Sequence, residues 1–330
     1  MPLLEVTDLH VRLNTPRGPA EAVRGIGFTL ERGETLGIIG ESGCGKSITV
    51  MSLMGLLPET ARLSGSIRFD GQELTQLSDA QMCRIRGNRI GMIFQEPMTA
   101  LNPVHTIGRQ VAEPLRLHRG LSASAAREEA IALLDRVGIP LASQRFDAYP
   151  HQFSGGQRQR ITIAMALACG PDLLIADEPT TALDVTIQRQ ILDLISELVA
   201  ERGMALMLIS HDLGVIAQNV QRMLVMYGGS VVESGPTGEV FSSMRHPYTR
   251  GLFAARPRIG APRGARLATI AGTVPELVDL PPGCPFAGRC DFTVPDCRTR
   301  RPDAVPLGHG HTARCIRLDD VAAASHGAAA

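Results

Sequence analysis

The feature that most constrains the fold of this 330-residue chain is a glycine-rich run, Gly40-Glu41-Ser42-Gly43-Cys44-Gly45-Lys46-Ser47. A short apolar segment, Thr35 to Ile39, comes before it, and residues 46–57 carry apolar side chains at helical spacing after it. A strand, a glycine-rich turn and a helix in this order form the phosphate-binding loop of nucleotide-binding α/β proteins. We therefore expect an α/β fold in which this loop holds the phosphates of a nucleotide.

The residue types of this loop suit phosphate binding. Glycines let the backbone turn tightly and point its N–H groups inward, and the start of the following helix adds positive potential. We expect Lys46 to add positive charge beside the phosphates and Ser47 to bind magnesium. Cys44 is interpreted as a small residue of the loop, because a redox-active thiol needs exposure and a lowered pKa. The alternative is a glycine-rich turn before a structural helix, and the motifs below argue against it.

An acidic pair follows the apolar residues 173–176, which indicate a buried strand. Because ligand sites lie at the carboxyl ends of strands in parallel sheets, Asp177 is expected to hold magnesium and Glu178 to polarise the attacking water. A base of this kind typically accelerates a reaction roughly a hundred- to ten-thousandfold. The alternative is a helix-capping pair, since Asp-Glu-Pro also occurs at helix starts.

Residues 153–160, FSGGQRQR, resemble the signature motif of ABC ATPases. Three further segments match motifs of this family in the family's order. They are Gln95 in GMIFQEP as the Q-loop glutamine, Ala182-Leu183-Asp184 as the D-loop, and His211 in LISHD as the switch histidine. A single Gln or His is more often structural, but several motifs in the family's order favour the resemblance.

The resemblance implies an α/β ABC ATPase cassette, with a parallel-sheet core, a β-rich N-terminal subdomain and a helical subdomain. It implies ATP and magnesium as ligands, in a dimer whose two cassettes hold two nucleotides between them. Catalysis is assigned to Glu178, His211, Lys46 and Gln95, and magnesium binding to Ser47, Gln95 and Asp177. Nucleotide contacts are assigned to Gly40, Glu41, Ser42, Gly43, Cys44, Gly45, Lys46, Ser47, Gln95, Ser154, Gly155, Gly156, Gln157, Asp177 and Asp184.

The composition changes along the chain and divides it into regions. We expect a nucleotide-binding domain over residues 1–237, with a helical insertion at about 78–170. A Pro-, Gly- and Arg-rich stretch, RPRIGAPRGAR, indicates a linker, and residues 238–320 are expected to form a small loop-rich domain. Residues 321–330 offer no periodic apolar face and indicate a disordered tail.

Four segments narrow the resemblance to the importers of dipeptides and oligopeptides: DEPTTALDVTIQRQIL, FQEPMTALNP, HPYTRGLFAA and PPGCPFAGRC. In that family the ATPase subunit pairs with a similar but distinct second ATPase and with two membrane-spanning permease subunits. A substrate-binding protein outside the membrane completes the system. The resemblance thus implies that ATP hydrolysis by this chain powers peptide import.

Other functions remain as alternatives. Related importers carry nickel or another solute, and their ATPase subunits resemble this one. A soluble ABC ATPase of DNA repair would normally carry a coiled-coil insertion or zinc modules, and neither is evident between Gly40 and Asp177. A translation-associated ABC factor would resemble two cassettes in one chain, and this chain has one.

Four of the seven cysteines cluster near the C-terminus, namely Cys284, Cys290, Cys297 and Cys315. The spacing lacks the paired CxxC knuckles of common zinc sites. Four thiolates suit a [4Fe–4S] cluster. The resemblance to the importer family also implies such a cluster, because members of that family carry a [4Fe–4S] cluster at a similar cysteine motif. We expect an iron–sulfur cluster, with a zinc site or buried free thiols as the alternatives.

Charge and hydropathy point to no nucleic-acid partner and no membrane span. Lys and Arg together number 33, as do Asp and Glu. No apolar run approaches the length that crosses a bilayer, and the N-terminus lacks the features of a signal peptide. We expect a peripheral protein on the cytoplasmic side of the inner membrane.

The adenine site departs from the family pattern. The family usually stacks the base on an aromatic residue near the start of the chain, but residues 11–22 include none. Leu13 is the nearest aligned candidate, and an aliphatic side chain would give up the aromatic contribution of roughly 0.5 to 1.5 kcal/mol.

Overall fold

Two β-sheets organise the chain in the computed structural model, which describes residues 1–181, 183–256 and 269–326. The N-terminal sheet is antiparallel, with strand order β2-β1-β4-β5. Its strands are β1 (Leu4–Thr15), β2 (Gly18–Leu30), β4 (Arg62–Phe69) and β5 (Gln72–Glu73). This is the β-rich start that the sequence predicts.

The central sheet has eight strands in the order β11-β12-β10-β9-β3-β8-β7-β6. They are β3 (Thr35–Ile39), β6 (Ile90–Ile93), β7 (Leu173–Asp177), β8 (Ala205–Ile209), β9 (Arg222–Tyr227), β10 (Ser230–Pro236), β11 (Val305–Gly308) and β12 (His311–Ala313). The five strands from β9 to β6 run parallel, and β10 to β12 are antiparallel. Every residue of β7 and β8 is buried, as expected for parallel strands that are covered on both faces.

Thirteen helices surround the sheets within the described residues. They are α1 (Lys46–Leu53), α2 (Asp79–Met82), α3 (Pro97–Ala100), α4 (Ile107–Arg119), α5 (Ala123–Arg136), α6 (Ala142–Arg145), α7 (Gly155–Leu167), α8 (Val185–Arg202), α9 (Leu213–Asn219), α10 (Thr237–Ser243), α11 (Pro247–Ala254), α12 (Pro295–Thr299) and α13 (Leu318–His326). Helix α5 begins after Ser122, whose side chain accepts a hydrogen bond from the Ala125 N–H and so caps the helix. Among these described helices, none is both long and apolar enough to cross a bilayer.

The central sheet lies between two apolar cores. Leu173 and Ile175 of β7 point toward the N-terminal sheet and α1, whereas Leu174 and Ala176 point to the opposite face, toward α7 and α8. This alternation follows from the two-residue period of a strand. The ends of β3 and β7, where the nucleotide motifs lie, are therefore set in a rigid layer.

The helical layer is smaller than the insertion that the sequence predicts at about 78–170. Residues 90–93 form β6, which pairs in parallel with β7 at the edge of the central sheet. Helix α7 packs so closely on this strand that a Cβ atom at Gly91 would lie 2.3 Å from the Ala166 carbonyl oxygen. The added layer is thus α3 to α6, and a four-residue strand is too short for periodicity to reveal.

The C-terminal region extends the central sheet, because β12 pairs with β10. The Glu233 carboxylate lies 2.8 Å from Nε2 of His311, and both side chains are buried. Residues 321–326 belong to α13, in contrast to the predicted tail, since Val321 is fully buried against the domain. Residues 327–330, and most of the predicted linker, lie outside the described residues.

Candidate nucleotide-binding and hydrolysis site

The glycine-rich loop joins β3 to α1, and its glycines are required by close packing. A Cβ atom at Gly40 would lie 2.3 Å from the Met226 carbonyl oxygen, and one at Gly45 would lie 2.6 Å from the Ala22 carbonyl oxygen. Gly45 precedes α1 with φ of 102°, a left-handed value that L-residues rarely adopt. The loop therefore has the tight turn and helix start expected of a phosphate-binding loop.

Lys46 lies back over this loop. Its Nζ donates hydrogen bonds to the carbonyl oxygens of Gly40 at 2.8 Å and Glu41 at 3.2 Å. The residue is only 6% exposed, so its ammonium group is held inside the loop. Cys44 is buried beside it, and burial raises the pKa of its thiol. A protonated, buried thiol agrees with the interpretation of Cys44 as a small packing residue.

Glu41 ties the loop to the C-terminal region. Its N–H donates to the hydroxyl oxygen of Tyr248 at 2.7 Å. Its carboxylate forms a two-pronged ion pair with Arg289, with distances of 2.7 and 3.2 Å. The hydrogen bond to Glu41 raises the pKa of Arg289, whose side chain is 6% exposed. Sequence reasoning missed Arg289 and the role of Tyr248, because both contacts join residues more than 200 positions apart.

Asp177 ends β7 with a buried carboxylate, and its Oδ1 atom has no hydrogen-bond partner among the described residues. Burial raises the pKa of Asp177, and the Ser47 hydroxyl and the Lys46 charge oppose this shift. A buried carboxylate oxygen without a partner is costly unless a cation or donor satisfies it. Carboxylate and hydroxyl oxygens are hard ligands of the kind that magnesium prefers, so Asp177 and Ser47 fit the ion that the sequence predicts here.

Three polar side chains lie within hydrogen-bond distance of one carboxylate oxygen of Glu178. The Oε2 atom accepts from Nε2 of Gln95 at 3.1 Å and from the Thr181 hydroxyl at 3.0 Å, and it lies 3.2 Å from Nδ1 of His211. Glu178 also has φ of 47°, a value that non-glycine residues adopt mainly where the surroundings impose it. Three of the four predicted catalytic residues thus meet at the carboxyl ends of β7 and β8. Thr181 is a member that sequence reasoning missed.

The predicted signature residues lie at the start of α7. Ser154 accepts from the Gln157 N–H at 3.3 Å, and the Gln157 side chain accepts from the Ser154 N–H at 3.2 Å. A Cβ atom at Gly156 would lie 2.9 Å from the Ile187 side chain, so the start of α7 packs on α8. Gly155 lies beside it, half-buried.

Asp184 caps the start of α8, because its side chain accepts a hydrogen bond from the Ile187 N–H at 3.0 Å. Among the described residues, no hydrogen bond joins either helix start to the phosphate loop. Ala182 of the predicted D-loop lies outside the described residues.

The prediction of a [4Fe–4S] cluster is wrong. Cys284, Cys290, Cys297 and Cys315 do line one cavity, but its volume is only about 10 Å³, too small for a cluster. Within the described residues, no three His, Cys, Asp or Glu side chains are grouped so that they could hold a metal ion, which also removes the zinc alternative. Burial raises the pKa of Cys284 to about 12 and that of Cys315 to about 11. The four cysteines are therefore packing residues around this small cavity.

Two family models match the chain. The model described as "ABC transporter" matches residues 23–181, and the model described as "Oligopeptide/dipeptide transporter, C-terminal region" matches residues 232–297. The first covers the phosphate loop, the signature motif and the acidic pair. The second covers Glu233, Tyr248 and Arg289.

Curated relatives align with nearly the whole chain. A dipeptide transport ATP-binding protein of Bacillus subtilis is 51% identical over 96% of this chain and 95% of its own length. An oligopeptide transport ATP-binding protein of Mycobacterium tuberculosis is 49% identical over 96% of this chain and 52% of its own length.

A solved structure shares the fold. An ATP-binding cassette, determined as a dimer in a post-hydrolysis state with ADP and phosphate, is 28% identical and has a TM-score of 0.64. The alignment covers 71% of this chain and 98% of that one. This likeness confirms the α/β cassette fold expected from the motifs.

Proposed function

The chain belongs to the ABC transporter ATPase family, and we propose that it binds and hydrolyses ATP to power the import of peptides by a multisubunit transporter. The observation that carries this proposal is the meeting of Gln95, Thr181 and His211 on the Glu178 carboxylate, beside a phosphate-binding loop. The peptide substrate class is supported by the oligopeptide/dipeptide C-terminal match and by the names of the relatives.

The phosphate loop provides the binding step. Its backbone N–H groups and the start of α1 present positive potential to an anion. The Lys46 ammonium, which now donates to carbonyl oxygens of Gly40 and Glu41, would exchange these for phosphate oxygens of higher negative charge. Ser47, Asp177 and Gln95 would hold magnesium, which neutralises charge on the phosphates when it is bound with ATP.

Glu178 provides the hydrolysis step. Gln95, Thr181 and His211 hold its carboxylate in one orientation at the end of β7, so it is positioned to accept a hydrogen bond from the attacking water. His211 is largely exposed on the open side of the site, where it can stabilise negative charge that develops on the γ-phosphate. Preorganised groups of this kind need no rearrangement during the reaction.

A second cassette would complete the site. Ser154 and the N–H groups of Gly155 and Gly156 stand at a helix start, half-buried or exposed, without a hydrogen bond to their own phosphate loop. We infer that they face the nucleotide of a partner cassette, with Asp184 at the same interface. ATP would then hold the two cassettes together, and loss of the γ-phosphate would release them.

The transporter context follows from this arrangement. We propose that the partner cassette is a similar but distinct chain, that two permease subunits carry the translocation path, and that an external binding protein selects the solute. The chain would dock on the cytoplasmic face of the inner membrane. We also propose that residues 1–237 form the nucleotide-binding domain and residues 238–320 an importer-type domain, a division supported by the separate ranges of the two family models.

The direct test replaces the base. Glu178→Gln keeps the size of the side chain and removes its charge, so ATP hydrolysis should fall about a hundred- to ten-thousandfold while ATP binding persists. Glu59→Gln is the matched control, because Glu59 is an exposed glutamate outside the site. Hydrolysis by the Glu178→Gln protein within a few-fold of the wild type would remove Glu178 as the base.

Transport is tested separately in vesicles. The chain, reconstituted with its permease partners, should accumulate labelled peptide only when ATP is supplied to the cassette side, and the Glu178→Gln protein should not support uptake. Uptake of nickel or another solute in place of peptide would correct the substrate class, and the proposed ATPase activity would still stand.

A further inference from the structure

We propose that residues 274–278 of the C-terminal region form one wall of the cleft that receives the adenine and ribose of ATP. This inference rests on the nucleotide site proposed above and adds the part of that site which binds the base. It would give the C-terminal region a direct contact with the nucleotide.

The cleft lies against the phosphate loop and has a volume of about 590 Å³. Three segments line it: Thr15, Pro16, Arg17 and Ala20 around the β1–β2 turn, Ser42 and Gly43 of the phosphate loop, and residues 274–278. The adenosine of a nucleotide whose phosphates sit in the loop must occupy adjoining space. This cleft shares two residues with the loop, so it is continuous with the phosphate site.

The lining suits a flat, apolar ring. Val274, Leu277 and Val278 are half-buried aliphatic residues on the C-terminal wall. A purine placed between them and Pro16 would remove apolar surface from water on both faces. Leu13, the residue that the sequence aligns with the usual aromatic, packs with the apolar core of the N-terminal sheet and does not line the cleft. We therefore infer that Val274, Leu277 and Val278 contact the adenine ring and take the place of the aromatic residue that usually stacks on it.

An ion-pair cluster joins the two walls. Arg17, at the β1–β2 turn, donates to Glu276 at 2.7 Å and to both carboxylate oxygens of Asp279 at 2.8 Å. Asp279 closes the short 3₁₀-helix Leu277–Asp279, so the bonds fix the register of this helix against the turn. These groups are exposed, and such pairs orient segments more than they stabilise them.

Three of the four polar side chains that line the cleft, those of Thr15, Arg17 and Glu276, are already engaged, and the fourth, Ser42, belongs to the phosphate loop. The Thr15 hydroxyl donates to the Gly18 carbonyl oxygen at 2.7 Å and accepts from the Arg17 N–H at 3.2 Å. Glu276 and Arg17 bind each other. Since these groups are not free to read the edge of a base, we expect the site to bind ATP and GTP with affinities within about threefold, a free-energy difference well below the 1.4 kcal/mol that corresponds to tenfold.

The test compares two ligands of the full-length protein by calorimetry: ATP and inorganic triphosphate. Val278→Asn places an amide on the C-terminal wall, and Val305→Asn makes the same change on the exposed strand β11. We expect Val278→Asn to weaken ATP binding about five- to tenfold and to leave triphosphate binding unchanged, because only the base contacts the wall. Val305→Asn should change neither affinity. Unchanged ATP affinity in Val278→Asn would overturn the proposal.

Photolabelling of the unaltered protein gives an independent result. Irradiation with 8-azido-ATP should label a peptide that includes residues 274–278. A label confined to other peptides would overturn the adenosine wall while leaving the nucleotide site intact. Failure of the wild type to bind either ATP or triphosphate would overturn the nucleotide site itself, so the two failures are distinguishable.

Discussion

The phosphate loop is held from two sides, and the two sides differ in what they contribute. On the sheet side, Asp177 ends the buried strand β7 and Glu178 directly follows it, so that two carboxylates lie at the edge of the sheet. On the C-terminal side, Tyr248 and Arg289 contact Glu41 through a neutral hydroxyl and a guanidinium group. The first side carries the carboxylates to which we assign the chemistry, and the second carries groups that set the shape and charge of the loop.

The difference follows from the charge of Glu41. An acidic side chain in a loop that binds phosphates would repel its ligand, since like charges at short range oppose binding. Arg289 pairs with this carboxylate in a largely buried position and so cancels its charge. We therefore infer that the C-terminal side keeps the loop suited to anions, whereas the sheet side carries the groups proposed for the chemistry. Substitutions on the two sides should separate these tasks.

The largest expected effect is on the sheet side. Asp177→Asn replaces a carboxylate whose Oδ1 atom lacks a partner with an amide that binds magnesium poorly. Steady-state ATP hydrolysis should fall at least about a hundredfold, since charge stabilisation by a bound metal is worth several kcal/mol. Asp193→Asn is the control, because Asp193 is exposed on α8. If both variants hydrolyse ATP at similar rates, Asp177 has no special part in the reaction.

A smaller, different effect is expected on the C-terminal side. Arg289→Ala leaves the Glu41 charge unpaired, so the KM for ATP should rise about tenfold while kcat changes less. The double variant Glu41→Gln with Arg289→Ala should recover much of this loss, since the repelling charge is gone. Arg300→Ala serves as the control on an exposed arginine. A loss of kcat without a change in KM would show that the two sides share the chemical step.

A third effect concerns stability on the C-terminal side. Burial lowers the pKa of His246 to about 4 from its ordinary 6.5, although Glu233 opposes the shift. Between these values the unfolded chain binds a proton that the folded chain does not, so the free energy of unfolding falls as pH falls from 6.5 to 4. The full loss is on the order of 3 kcal/mol.

Urea unfolding of the wild type and of His246→Asn across this pH range measures the effect. Asparagine can accept the hydrogen bond that Nδ1 of His246 receives from the Tyr248 N–H, and it does not titrate. The difference in stability between the two proteins should therefore narrow or reverse as the pH is lowered. If the free energies of unfolding of the two proteins differ by the same amount at every pH, His246 is accessible to protons in the folded state.

The smallest effect is expected from the thiol in the loop itself. Cys44→Ala should hydrolyse ATP within about threefold of the wild type, because the buried side chain fills space and only its size changes. A thiol reagent should label the exposed Cys83 quickly and Cys44 slowly. Rapid labelling of Cys44 with loss of activity would restore the redox interpretation.

The sequence predicts which residues lie together at the end of β7, because its motifs are local. The run from Gly40 to Ser47 needs only a strand before it and a helix after it, and both lie where the pattern indicates. Glu178 directly follows an apolar strand, and parallel strands bring their carboxyl ends to one edge. The family resemblance predicts Gln95 and His211 as site residues, and each lies within hydrogen-bond distance of Glu178.

Predictions that rest only on the spacing of residues along the chain are wrong in two places. Four cysteines at short intervals suggest a cluster, yet their side chains close around about 10 Å³, because Phe286 and Phe292 line the same cavity. The C-terminal residues 321–326 show no periodic apolar face, yet they form a helix in which Val321 is fully buried and its carbonyl oxygen accepts from the Arg250 guanidinium at 2.6 Å. In both cases the packing partners lie elsewhere along the chain.

The type of chemistry can be recognised in the sequence from a phosphate loop, an acidic pair at a strand end, and a signature helix start of the ABC ATPase family. How the loop is held depends on the folded structure, since the contacts of Glu41 with Tyr248 and Arg289 join positions more than 200 residues apart. Local motifs depend on neighbouring backbone geometry, which the sequence encodes directly. Contacts between distant segments depend on the complete packing of the two apolar cores, which no single stretch of the chain specifies.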